Sequence, residues 1–254
     1  MTGSPALPPL LAGHALVHLP STGSTNDEAR SRIERGELGA GAVIVADVQT
    51  AGHGRHGRTW ITPPGRALAA SIVLAVPAVP RITRVTVLGA VAACRALGRL
   101  GVPDVAIKWP NDLMRAERKC GGMLVEQASA PGGQRLLVFG IGINLELREA
   151  DLPPELAGLA GDVGLPAGAR TALLAALLAE LDAAFAQLGT EADRERGRQY
   201  VARAWLAGRR VRLRAGDEEL QAVLAAVTAD GDLLLAGGRL VAGETAQLIA
   251  FERR

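Results

Sequence analysis

The stretch Gln49-Thr50-Ala51-Gly52-His53-Gly54-Arg55-His56-Gly57-Arg58-Thr59-Trp60, in which glycines alternate with basic side chains, lies between two apolar runs, residues 42–48 and 67–76. Short apolar runs bounded by polar and glycine-rich text read as buried strands, so this segment is a loop joining two strands. Its glycines let a ligand approach backbone N–H groups, and Arg55 and Arg58 supply forked donors for phosphate or carboxylate. Taken alone, the stretch is equally readable as a flexible basic surface loop.

Upstream, Ser24-Thr25-Asn26-Asp27-Glu28 places Thr25 three residues before Glu28, a capping-box spacing that predicts a short helix closed at Gly36. Downstream, Val85, Leu88, Val91, Ala92 and Leu97 recur with helical spacing and predict a helix over 83–100. Short apolar segments at 105–108, 122–127 and 135–143 then read as antiparallel strands of one sheet. Residues 145–169 hold prolines and glycines without periodicity and read as a long loop, a candidate lid. Helices are expected over 171–188 and 191–206. From residue 208 the text turns to short strands and hairpin signals, predicting a small all-β barrel. The class is α+β, with domains at 1–207 and 208–254.

Net charge is +2, from 28 basic and 26 acidic residues. That balance argues against a surface built for sequence-independent nucleic-acid binding. Cys94 and Cys120 are the only cysteines and lack the spacing of a zinc knuckle or a redox pair. No segment reaches the roughly 18 apolar residues of a membrane span, and residues 1–20 lack an export signal. A cytoplasmic protein without membrane partners is expected.

Three further stretches carry candidate chemistry. Ile107-Lys108-Trp109-Pro110-Asn111-Asp112-Leu113 stops a strand at a proline and delivers an amide and a carboxylate together. Asp112 there can hold Mg²⁺ beside a polyphosphate, though Asn-Asp after Pro is also ordinary turn chemistry. Lys119 stands before Gly121-Gly122 and an apolar strand, either as a point charge for an anion or as part of a solvated turn. Gly140-Ile141-Gly142-Ile143-Asn144 has two of the glycines of a dinucleotide fingerprint but neither the third nor a following helix.

Read in order, Ser24-Thr25-Asn26, residues 49–60, 108–113, 119–126 and 140–144 resemble the successive motifs of the biotin protein ligases. The resemblance runs motif by motif over 20–145, and the expected barrel matches the family's end domain in position and size. It implies a mixed sheet flanked by helices, of the class II aminoacyl-tRNA-synthetase-like kind, with an SH3-like C-terminal barrel. It also implies an ATP-dependent enzyme that makes biotinyl-5′-AMP and pyrophosphate, then passes biotin to one lysine of a carboxylase's biotin carboxyl carrier domain. ATP, Mg²⁺ and biotin are then substrates and metal, with no tightly bound prosthetic group and no nucleic-acid partner. A ligand-linked homodimer fits the same resemblance.

By that resemblance Ser24, Thr25, Asn26 and Gln49 line a biotin ureido pocket, with Gly52, Gly54, Gly121 and Gly122 close by and Trp60 closing it. Arg55 and Arg58 embrace the phosphates, and Lys119 bridges the biotin carboxylate and the α-phosphate. Asn111 and Asp112 arrange nucleotide and Mg²⁺, while Asn144 meets adenine. His53, counted with the biotin residues, departs from the arginine more usual in the family. Only about twenty residues precede the first motif, too few for the winged helix of the family's repressor members. Lipoate and octanoate ligases of the same fold are the nearest enzymatic rivals.

Overall fold

A computed structural model of the chain describes residues 10–11, 13–76 and 81–252; the reading of residues 1–9 lies outside them. The elements are β1 (Leu10–Leu11), β2 (His14–Thr22), α1 (Thr25–Glu34), β3 (Ala42–Gln49), β4 (Ala67–Ala75), α2 (Ile82–Arg99), β5 (Ala106–Lys108), β6 (Asp112–Arg115), β7 (Arg118–Ser129), β8 (Arg135–Asn144), α3 (Arg170–Ala186) and α4 (Glu191–Ala202). A C-terminal group follows: β9 (Arg210–Ala215), β10 (Glu218–Val227), β11 (Leu233–Leu235), β12 (Leu240–Val241) and β13 (Ala246–Phe251).

The first eight strands form one sheet in the order β1-β2-β3-β4-β8-β7-β6-β5. Only β2 and β3 run parallel; the rest of the sheet is antiparallel. Because side chains alternate along a strand, each strand contributes to both faces. Val43, Val45, Leu68, Ala70, Ile72, Leu137, Phe139 and Ile141 pack with α2 and α3 into the main core. On the opposite face Ile44, Val73, Leu136 and Val138 pack under Ala29 and Ile33 of α1. That ten-residue helix covers only part of its face.

Three expectations need correction, two of them in the main domain. The capping box does not form: Ser24 is the N-cap without a side-chain cap bond, and Glu28 instead pairs with Arg32 at 2.7 Å. Helix α4 ends at Ala202 rather than near 206, because the chain turns to pair with the short edge strand β5. Ile107 N donates to Arg203 O at 2.8 Å and Trp205 N to Ile107 O at 2.9 Å, which covers an exposed sheet edge.

The C-terminal strands form a five-stranded antiparallel sheet, β12-β11-β10-β9-β13. Strand β10 serves β9 with its first half and β11 with its second, across an irregularity between Leu224 and Ala226. The outer strands are not paired with each other, so the sheet is open where a closed barrel was expected. Two-residue β12 is too short to close it. The apolar face is instead continuous with the main core through Val211, Leu213, Leu224 and Val227. Among the described residues no helix is long and apolar enough to cross a membrane.

Candidate functional site

Beyond the N-terminal end of α1, the sheet face it leaves bare is paved by two rows of directly opposed residues. One row is Ile44, Ser71, Gly140 and Leu124; the next is Ala46, Ala69, Gly142, Gly122, Asp112 and Lys108. The small residues make a flat floor. A Cβ on Gly140 would lie 2.2 Å from Asn26 Oδ1, and one on Gly142 2.4 Å from the Trp60 ring. The two glycines of the 140–144 segment are therefore seats for side chains that lie on the sheet. With its mouth included, the cleft encloses about 950 Å³, enough for a small molecule and a nucleotide side by side.

One wall is the start of α1. Ser24, Thr25 and Asn26 are all at least 95% buried. Gln49 Oε1 accepts from Thr25 N at 2.8 Å and Thr25 Oγ1 at 3.1 Å, satisfying a helix-start N–H that the missing capping box leaves open. Gln49 Nε2 donates to Thr62 Oγ1 at 3.2 Å.

The glycine-rich segment is not slack. His53 bridges Thr59 as a strand pair would, Gly54 N donates to Arg58 O, and Trp60 N to Gly52 O, both at 2.8 Å. A tight turn over Arg55–Gly57, with His56 at φ 58°, aims the loop across the floor. Burial lowers the Arg55 guanidinium from its ordinary value, with Asp112 opposing and Arg58 adding to the effect; it remains a cation at neutral pH. Trp60 Nε1 is buried without a hydrogen-bond partner among the described residues.

Lys119 reaches the cleft through a β-bulge. Leu113 opposes Gly121, yet the next pair is Met114 and Lys119, so Cys120 is an extra residue in β7. Were β7 regular here, with Cys120 opposite Met114, Lys119 would alternate onto the same face as Gly121, toward α2; a bulge re-aims a side chain in this way. Lys119 Nζ lies 2.6 Å from Asp112 Oδ1, and Lys108 Nζ 3.7 Å from Asp112 Oδ2. Lys119 also sits 5.7 Å from the centre of a Trp60 ring. Among the described residues Asp112 is the only carboxylate lining the cleft, against Arg55, Arg58, Lys108 and Lys119. Asn111 fixes the turn before it, its Nδ2 donating to Met123 O at 2.6 Å.

Of the residues singled out in the sequence, Ser24, Thr25, Asn26, Gln49, His53, Gly54, Arg55, Arg58, Trp60, Asn111, Asp112, Lys119 and Gly122 line this cleft. Three do not. Gly52 backs it, packed against Gln49 and the Trp60 carbonyl. Gly121 faces the α2 side beside Leu113 and Ile143. Asn144 shares the cleft face but is 5% exposed, and its Nδ2 donates to Gly161 O at 2.9 Å. The loop over it is tied down: Lys119 N donates to Leu159 O and Gly161 N to Lys119 O, both at 2.9 Å. Burial pushes both Cys94 and Cys120 up to about 12, which leaves inert thiols.

Sequence reading missed Lys108 as a cleft residue, and with it Gln247 and Leu248 of β13. The C-terminal sheet thus supplies part of the wall, held there by Phe251, whose ring lies 4.4 Å from Lys108 Nζ, and by Trp109 Nε1 donating to Gly231 O at 2.7 Å.

A family model for the biotin/lipoate A/B protein ligase family matches residues 19–144. The bifunctional ligase/repressor BirA of Escherichia coli is 33% identical over 239 residues, covering 89% of this chain and 70% of that protein. The biotin–[acetyl-CoA-carboxylase] ligase of Mycobacterium tuberculosis is 31% identical over 227 residues, covering 87% and 83%. Among solved structures, the biotin protein ligase from Aquifex aeolicus in complex with biotin and ATP shares the fold, with TM-score 0.74, 24% identity, and coverage of 94% of this chain and 99% of that one. By fold and by these two sequence relatives, the chain belongs to the biotin protein ligases.

Proposed function

We propose that this chain activates biotin with ATP and transfers the biotinyl group to the ε-amine of one lysine on a biotin carboxyl carrier domain of an acetyl-CoA or other acyl-CoA carboxylase, in the cytoplasm. The observation that carries the reading is the adjoining of two unlike halves in one cleft. A neutral amide-and-hydroxyl wall, Ser24 to Asn26 with Gln49, borders the cationic set Arg55, Arg58, Lys108 and Lys119 around Asp112. The first half suits an uncharged cyclic urea, whose N–H and C=O groups need buried partners.

The second half suits a carboxylate meeting a triphosphate. As a biotin carboxylate oxygen bonds to the α-phosphorus and the bond to pyrophosphate breaks, two anions must approach each other. Lys119 and Arg55 then neutralise charge and hold the groups in line. In the second step the carrier amine bonds to the acyl carbon, AMP leaves with the acyl C–O electrons, and the amine loses its proton. No covalent enzyme intermediate is needed, consistent with the inert thiols. Trp60 and the strapped glycine loop limit water at the adenylate.

Mg²⁺ fits as an ion borne by the nucleotide. Among the described residues no three His, Cys, Asp or Glu side chains cluster, but Mg²⁺ is often held by one or two carboxylates plus substrate phosphates. Asp112 would be its protein ligand, exchanging Lys119 for the metal; bound there, the ion would neutralise the departing pyrophosphate.

Asn144 belongs to the adenine end, and residues 208–254 form an SH3-like end unit that completes the nucleotide wall through β13. The test is biotin-dependent release of pyrophosphate from ATP, followed by label transfer to a purified carrier domain, with lipoate run in parallel. Turnover with biotin alone is expected. Turnover with lipoate instead would move the chain to the lipoate branch of its family, and no turnover would leave a binding protein.

A further inference from the structure

We propose that Glu126 and Ser71 are positioning residues that fix the amide of Asn26, and so set the donor and acceptor pattern the cleft offers its ligand. This rests on the biotin reading of the cleft and goes beyond it to two side chains outside the lining.

The geometry comes from the sheet register. Ser71, Gly140 and Leu124 are directly opposed on β4, β8 and β7, and the Asn26 side chain lies across that row on the bare Gly140. Asn26 Nδ2 donates to Glu126 Oε2 at 2.8 Å and to Leu124 O at 3.4 Å. Asn26 Oδ1 accepts from Ser71 Oγ at 2.6 Å. A carboxylate and a carbonyl can only accept, so one orientation of the amide is allowed. Arg30 holds the carboxylate from outside, its Nη1 donating to Glu126 Oε1 at 3.2 Å.

The network continues inward. Ser71 Oγ, fully buried and with its own proton on Asn26, also lies 2.8 Å from Thr25 Oγ1, so the Thr25 hydroxyl proton is shared between Ser71 Oγ and Gln49 Oε1 at 3.1 Å. Gln49 is fixed too, because its oxygen faces the Thr25 backbone N–H. The pair is left with one acceptor lone pair on Asn26 and one N–H on Gln49. A cyclic urea, with N–H beside C=O, matches that pair. Reversing the Asn26 amide would place a donor where the urea presents its own N–H.

The test combines equilibrium titration with biotin alone, steady-state kinetics and NMR of the Asn26 side-chain amide. Glu126→Ala should weaken biotin about tenfold, the ratio that loss of one buried hydrogen bond commonly gives. It should raise KM for biotin by the same factor while leaving KM for ATP and kcat at saturating biotin in place. Glu126→Gln keeps an acceptor for Nδ2 and should recover most of the affinity. In an Asn26→Ala background, Glu126→Ala should cost nothing more. Ser71→Ala repeats the cycle should Glu126→Ala not fold. Additive losses, a parallel rise in KM for ATP, or Glu126→Gln as weak as Glu126→Ala would overturn the proposal. If wild type binds no biotin, the ligase reading fails instead. The Asn26 amide resonances, which Glu126→Ala should shift in the free protein, then still decide the positioning claim.

Discussion

The two faces of the eight-stranded sheet are written by the same strands and do opposite work. Toward α2 and α3, β4 and β8 present Leu68, Ala70, Ile72, Leu137, Phe139 and Ile141 to a dry core. One residue along each strand, toward the cleft, stand Ala69, Ser71, Gly140 and Gly142. The first face is buried against the helices, so its substitutions read out as stability. The second is kept low so that Asn26, Trp60 and a ligand can lie on it, and its substitutions should read out as binding and rate.

Lys119→Ala should show the largest effect. It removes the cation beside the reacting groups and the shorter of the two ion pairs of Asp112, so adenylate formation should fall about 10²- to 10³-fold with little change in melting temperature, by pyrophosphate release. Arg55→Ala should follow, as faster escape of adenylate measured by rapid filtration; unchanged retention would remove Arg55 from that role. On the other face, Phe139→Ala should cost about 3–5 kcal/mol in denaturant unfolding with KM for biotin preserved. The ring packs against Gly89 of α2, where a Cβ would lie 2.2 Å away, so Gly89→Ala should act in the same direction.

The smallest effect concerns acid. Burial raises the Asp47 carboxyl, but hydrogen bonds from His18 and Arg170 outweigh it and leave a net lowering. A carboxylate with a depressed folded value contributes stability that is present above its unfolded value near 4 and lost as pH falls through the folded one. Asp47→Asn should flatten that acid limb of the stability curve while leaving biotin affinity unaltered.

Much of the core face was legible because periodicity reports burial directly. The helices α2 and α3 and the strands β3, β4 and β8 lie within a few residues of their expected limits. Strand β2 escaped because it is half-exposed along most of its length and carries Pro20; β6 escaped because Asn111-Asp112 reads as a turn. The site was legible as a set of motifs, not as a surface. Ser71 and Glu126 are far from Asn26 in sequence, and only strand register brings them together. A faint signal existed: Ser71 is the one polar residue in β4. Likewise the bulge at Cys120, which turns Lys119 into the cleft, has no mark in the text.

The division of labour between the faces is tested most directly by one paired measurement on Lys119→Ala and Phe139→Ala: melting temperature against biotin transfer to a carrier domain. The expected result is a crossed pattern, with Lys119→Ala stable and inactive and Phe139→Ala destabilised but active below its melting point. If both variants lost stability and activity together, the two faces would not be separable and the account would be wrong.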